Sequence, residues 1–151
     1  MRIWVDADAT PRPVRELLLR AAERRGVALV LVANSVQRAH ACASITSVLV
    51  DGTFDAADRH IEAHCAAGDL VVTADVPLAA AVAALGAFAL DPRGELITEA
   101  EAGERLAMRD LMAQLRGGAE QLGGPAAYSE ADRRAFANAL DRWIARRPKA
   151  P

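Results

Sequence analysis

The sequence predicts an α/β fold: a central, mainly parallel five-stranded sheet between two helical layers (three-layer α/β/α), followed by two C-terminal helices. Three observations predict it. Through residue 90, short apolar runs alternate with stretches of helical periodicity, the spacing of strand–helix–strand crossovers. The run 27–33 is apolar and rich in β-branched residues throughout, as expected of a strand buried on both faces. Two strands end alike: Ile3-Trp4-Val5 runs into Asp6 and Leu70-Val71-Val72-Thr73-Ala74 into Asp75, each just before a helix. At 151 residues, 52% hydrophobic, the chain fits one domain with a sizeable core, expected over 1–147 with a frayed tail at 148–151.

The first strand is expected at 2–6. Thr10 is placed to cap the following helix, with Pro11 at its first position. Val14, Leu17, Leu18, Ala21 and Ala22 recur at helical spacing, and Gly26 ends the helix. A second strand covers 27–33, a third 45–50. Between them lies a short irregular or helical piece carrying Gln37, Arg38 and His40. Asp51-Gly52 is a turn; Asp55 with Asp58 resembles a capping box for a helix whose inner face is Ala57, Ile61 and Cys65 and which Gly68 closes. Asp69 reads as a turn residue. Strand four spans 70–74, a helix runs from Val76 to about 85, and strand five is 87–90.

After the turn Asp91-Pro92-Arg93-Gly94 the pattern changes. Thr98 with Glu101 forms a capping box for a helix to about 116, and glycines at 117–118 and 123–124 bound a loop. Ser129 with Asp132 starts the last helix, striped with Phe136, Leu140, Trp143 and Ile144. These two helices pack on the sheet or on each other.

In open α/β sheets ligands bind at the carboxyl ends of strands. Asp6, Asp8 and Asp75 fall there, and Asp58 or Glu62 can join them from the helix before strand four. If strands one and four are neighbours, these acids share one pocket. Crowded carboxylates repel one another and stay ionised only beside a cation; hard oxygen ligands suit Mg²⁺ or Mn²⁺. Such a site activates water and clamps a phosphate. Each acid also has a plainer reading: Asp6 and Asp75 as helix caps, Asp8 as a helix N-terminal charge, Glu62 as solvated surface.

Composition narrows the classes. A net charge of −2 gives no global basic field, and all cations but Lys149 and the histidines are arginine. Cys42 and Cys65 lack metal spacing and read as buried reduced thiols; His40, His60 and His64 make no triad. Dinucleotide, Walker and nucleophile-elbow motifs are absent. No apolar run is long enough to span a bilayer, and no apolar leader precedes the first strand, so a cytoplasmic, membrane-free protein is expected.

The segments Ile3-Trp4-Val5-Asp6-Ala7-Asp8-Ala9, Leu29-Val30-Leu31-Val32-Ala33-Asn34, Gly68 to Ala79, Asp91-Pro92-Arg93-Gly94-Glu95, Met108-Arg109-Asp110 and Gly123-Gly124-Pro125 together resemble the YaiI/YqxD family, a small uncharacterised bacterial family grouped with PIN-like domains. Thr10 stands where that pattern expects cysteine, which argues against thiol chemistry. The resemblance implies a strand order 3-2-1-4-5 and metal-dependent RNA cleavage. Its acids map onto Asp6, Asp58 and Asp75, with Asp8 an extra acid, so that Asp6, Asp8 and Asp75 are the catalytic candidates and Asp6, Asp58 and Asp75 the Mg²⁺ or Mn²⁺ ligands. Arg12, Arg38, Arg93 and Arg109 are candidates for the nucleic-acid phosphates. The sequence leaves the oligomeric state open, a homodimer included.

Two other readings stand beside this one. Asp6-Ala7-Asp8-Ala9-Thr10 fits the DxDxT pattern of haloacid-dehalogenase phosphatases, with Asp6 as nucleophile, Asp8 as general acid and Thr73 as the later threonine; the lack of a lysine before Lys149 weighs against it. The third is a non-catalytic module that binds RNA or a protein.

Overall fold

The computed structural model describes residues 1–38, 40–117 and 127–147. The expected loop at 118–125 and the expected frayed tail at 148–151 lie outside the described residues. The elements are β1 (Arg2–Asp6), α1 (Arg12–Arg25), β2 (Ala28–Ala33), β3 (Ile45–Leu49), α2 (Ala56–His64), β4 (Leu70–Val72), α3 (Val76–Ala84), β5 (Phe88–Leu90), β6 (Leu96–Ile97), α4 (Glu99–Arg116) and α5 (Glu130–Arg146).

One sheet runs β3-β2-β1-β4-β5-β6. The first five strands are parallel, in the expected order, and β6 adds an antiparallel edge. β6 was not expected. It exists because Asp91–Gly94 closes a tight turn: the Gly94 amide donates to the Asp91 carbonyl and the Asp91 amide to the Glu95 carbonyl, both at 2.8 Å. Gly94 has φ +97°, and a Cβ there would stand 2.6 Å from the carbonyl carbon of Ala135 on α5, so this turn takes only glycine.

Alternation along β1 sorts the core into two layers. Ile3 and Val5 point to one face, joined by Leu29, Leu31, Leu70 and Val72, and meet Val14 and Leu18 of α1 and Phe136, Leu140 and Ile144 of α5. Trp4 points to the other, with Val30, Val32 and Val71, and meets Ile61 of α2, Leu78 and Val82 of α3 and Ala102 of α4. Parity puts Asp6 on the Trp4 side, the side of α2 and α3. The last two helices therefore lie on opposite faces of the sheet rather than on each other.

Capping was read correctly where the motif is complete. Thr98 with Glu101 and Ser129 with Asp132 both form reciprocal boxes, and Asp75 Oδ1 accepts from the Leu78 amide at 2.8 Å. Two expectations fail. Thr10 does not cap α1: its hydroxyl donates to the Asp6 carbonyl at 2.6 Å, and Pro11 occupies the cap position. Asp55 makes no capping bond because its backbone is left-handed, φ 61°; α2 ends at His64, short of Gly68. Strand four stops at Val72, and Cys42 and Cys65 are half-buried free thiols. No helix among the described residues is long and apolar enough to cross a membrane.

Asp69 closes the expected turn, its amide donating to the Ala66 carbonyl at 3.0 Å, but its side chain is buried. It is 3% exposed, and its carboxylate accepts from the Arg2 amide (2.9 Å), the Trp4 indole N–H (3.0 Å) and the Ala66 amide (2.9 Å). It ties the start of β1 to the start of β4, at the edge of the sheet opposite the carboxyl ends.

Candidate functional site

β1 and β4 are adjacent and parallel, with Trp4 opposite Val71 and Val5 opposite Val72. Their carboxyl ends open into a cleft of about 480 Å³. Asp6, Asp8, Asp51, Asp55, Asp58 and Asp75 line it, with Asn34, Thr10 and Thr73; among the described residues no lysine, arginine or histidine lines it. The structure thus brings Asp6, Asp8, Asp58 and Asp75 to one place. Glu62, the alternative to Asp58, is exposed and does not line the cleft.

Each acid is held differently. Asp6 Oδ1 accepts from the Asp8 and Ala9 amides at 3.1 and 3.3 Å. Burial pushes its carboxyl above the ordinary value; those two amides oppose the rise and the Asp8 charge adds to it. Asp8 clasps the end of β2, accepting from the Asn34 amide at 2.7 Å and the Ser35 hydroxyl at 3.4 Å. Asp75 is fixed by its capping bond, and its own amide donates to Thr73 Oγ1 at 2.9 Å.

Asp58 has no hydrogen-bond or ion-pair partner for its carboxylate among the described residues. Partial burial, then the charges of Asp75, Asp6 and Asp55, push it up to about 6. Repulsion by Asp75 and Asp6 is the electrostatic mark of carboxylates that face one another without a counter-charge. They share a cleft rather than a finished chelate: no three His, Cys, Asp or Glu among the described residues converge closely enough to hold an ion.

The sequence pattern makes Asp51 a turn residue and Asp55 a cap; their place in the cleft has no local signature. Asp51 accepts from the Thr53 amide at 3.0 Å and from its hydroxyl, which together hold its carboxyl below the ordinary value. Arg59 of α2 grips this loop from behind, donating to the Phe54 carbonyl at 2.8 Å and Thr53 Oγ1 at 3.0 Å. The left-handed Asp55 is the one non-glycine residue of positive φ among the described residues, a sign of a shaped loop.

None of the four candidate arginines lines the cleft. Arg93 pairs with Asp132 at 2.9 Å, and Arg109 lies beside Asp110 at 3.8 Å on the exposed side of α4. Arg12 and Arg38 line a separate cavity behind the β1–α1 loop.

Against known proteins, the chain matches the model of an uncharacterised bacterial family, YaiI/YqxD, over residues 4–146. The chain belongs to this family. Relatives within it include UPF0178 proteins of Shewanella amazonensis, 54% identical over 99% of this chain and 100% of the relative, and of Geobacter metallireducens, 51% identical over 97% and 94%. A UPF0178 protein of Bordetella avium is 53% identical over 97% of this chain and 95% of its own. No solved structure matches. The YaiI/YqxD match assigns no reaction, so chemistry has to be argued from the cleft.

Proposed function

We propose that this YaiI/YqxD protein is a metal-dependent phosphodiesterase of the PIN-like type that cleaves RNA. The observation that carries the reading is the cleft itself: six aspartates and, among the described residues, no cationic side chain at the carboxyl ends of two adjacent parallel strands. The donors fit the group. They are carboxylates with amide and hydroxyl neighbours, the set that hard cations select, and Asp58 is unpaired and forced upward by its neighbours' charge.

Asp6, Asp58 and Asp75 would hold the Mg²⁺ or Mn²⁺. When bound, such an ion withdraws charge from a phosphate oxygen and lowers the pKa of water. The chain's own residues do the positioning. Two amides fix Asp6 at the strand end, the α3 cap fixes Asp75, and Asp8 locks the β1–α1 loop to β2 so that Asp6 keeps its aim. The phosphatase reading needs a cation beside the Asp6 nucleophile, and no lining residue supplies one.

Calorimetric Mn²⁺ titration of wild type, Asp6→Asn and Asp75→Asn tests this, followed by an RNA and DNA cleavage panel with Mn²⁺. Saturable binding and RNA cleavage in wild type, both lost in the variants, are expected. Absence of saturable binding, or cleavage equal in Asp6→Asn, overturns the proposal. RNA retention on a gel without cleavage replaces it with the binding-module reading, and a beryllofluoride adduct on Asp6 replaces it with the phosphatase.

A further inference from the structure

Behind the β1–α1 loop lies a second cavity, of about 230 Å³, and its chemistry is the inverse of the first. Arg12, Arg15, Gln37, Arg38 and His40 line it, with Glu16 the one acid. Arg12 is matched to Glu16 at 3.1 Å. Arg15 and Arg38 make no ion pair or hydrogen bond among the described residues. Arg15 Nε is the sole buried side-chain nitrogen or oxygen without a partner among them. A buried donor left unpaired is costly, and native structures usually satisfy it with protein, water or a ligand.

The two cavities share walls. Ala7 faces the basic one, and Asp8, Ala9 and Thr10, next in the chain, line the acidic one. After β2, Asn34 lines the acidic side and Gln37 and Arg38 the basic side. A bonded chain crosses between them: the Gln37 amide donates to Ser35 Oγ at 3.2 Å, and Ser35 Oγ to Asp8 Oδ1 at 3.4 Å.

We infer that the basic cavity binds a phosphate group of the nucleic-acid strand whose scissile diester lies in the acidic cleft. The inference rests on the phosphodiesterase reading for the strand, and on the cavity alone for the anion. Guanidinium forks match phosphate oxygens in geometry and charge, and the side chains of Arg15 and Arg38 have no acid or carbonyl partner among the described residues. The cavity would also draw a polyanion to a protein of net negative charge, −2, whose cleft repels it when empty of cations. The phosphate is either an internal diester or a terminal monoester, which share this recognition chemistry.

The first arm titrates inorganic phosphate against sodium chloride of equal ionic strength, without divalent ions, following the backbone amide resonances of Gln37, Arg38 and His40 by ¹⁵N NMR. Saturable shifts are expected in wild type and in Asp58→Asn, weakened about tenfold or more in Arg15→Gln and in the exposed variant Arg38→Gln. No saturation in wild type, or an affinity equal to that of wild type in both arginine variants, overturns the inference. Because this arm needs neither metal nor cleavage, failure of the phosphodiesterase reading leaves it intact and separately readable. The second arm measures binding of a short single-stranded RNA with a 5′-phosphate or a 5′-hydroxyl. A gain from the 5′-phosphate that Arg38→Gln abolishes identifies a terminal monoester. Equal binding of both, weakened in Arg38→Gln, identifies an internal diester. Phosphate binding with no arginine-dependent RNA binding overturns the strand assignment.

Discussion

Replacing Asp58 by asparagine should stabilise the metal-free protein at neutral pH. Asp58 rises from an ordinary 3.8 to about 6 in the fold. That is about two pH units, or about 3 kcal/mol at 1.36 kcal/mol per unit. Solvent still reaches the group, and screening reduces the figure to about 1–2 kcal/mol. Asp58 also sits in the first turn of α2, where a negative charge contributes about 0.5 kcal/mol that asparagine forfeits. Repulsion and burial outweigh the helix effect, leaving a net gain of about 1 kcal/mol, or about 2–4 °C in Tm. The pH dependence follows from the direction of the shift. Above pH 6 the carboxylate is charged in both folded and unfolded states, and the whole penalty is present. Between pH 6 and 4 the folded protein takes up a proton that the unfolded chain does not, so the penalty fades. Below the unfolded value it is gone. Urea unfolding in the presence of a chelator, followed by tryptophan fluorescence at pH 7.5, 6 and 4, measures this. The reasoning is refuted if Asp58→Asn is less stable than wild type at pH 7.5, or if its advantage is the same at pH 4.

Four further outcomes are expected. Mn²⁺ should raise the Tm of wild type in a concentration-dependent way and leave Asp75→Asn unmoved. Asparagine is as good an N-cap as aspartate, so this variant should melt within about 0.5 kcal/mol of wild type without metal, whereas Asp75→Ala should lose about 1 kcal/mol by differential scanning calorimetry. Asp69→Ala strands three donors, the buried Trp4 indole N–H and the part-buried amides of Arg2 and Ala66, and should cost about 3 kcal/mol or more in urea unfolding; a loss under 1 kcal/mol would mean that water replaces the carboxylate. Gly94→Ala combines a positive φ with a backbone contact at 2.6 Å and should cost about 2 kcal/mol or more, read from the same curves.

What the sequence reveals of this fold is whatever is written locally. Ile3, Trp4 and Val5 announce a strand buried on both sides, and the reciprocal boxes at Thr98 and Ser129 mark helix starts through bonds that span three residues. Thr10 and Asp55 carry the same residue preferences, but tertiary geometry overrides them. The Thr10 hydroxyl finds the Asp6 carbonyl, and the Asp55 backbone turns left-handed to round the cleft. β6 is only two residues long, too short for any periodicity to register. The role of Asp69 depends on Trp4, 65 positions away, and no local pattern reports such a bond. At the candidate site the strand-end acids Asp6 and Asp75 were legible because each ends an apolar run. Asp51 was not, because a turn aspartate looks the same whether it faces a cleft or open water. Of the arginine candidates, Arg109 is exposed on α4, while Arg38, in the loop after β2, and Arg12 on α1 line the second cavity with Arg15.

The central position of β1 sets a timetable for the nascent chain. One flank of β1 is sealed by β2, which begins at residue 28, but the other waits for β4, which begins at residue 70. At about 5–20 residues per second, synthesis leaves that second flank without its partner for several seconds. During that interval the unsealed edge is open to pairing with a neighbouring chain on the same message. Ribosome-bound fragments that stop short of Leu70 should therefore be the aggregation-prone ones, and those long enough to present β4 outside the exit tunnel should be spared.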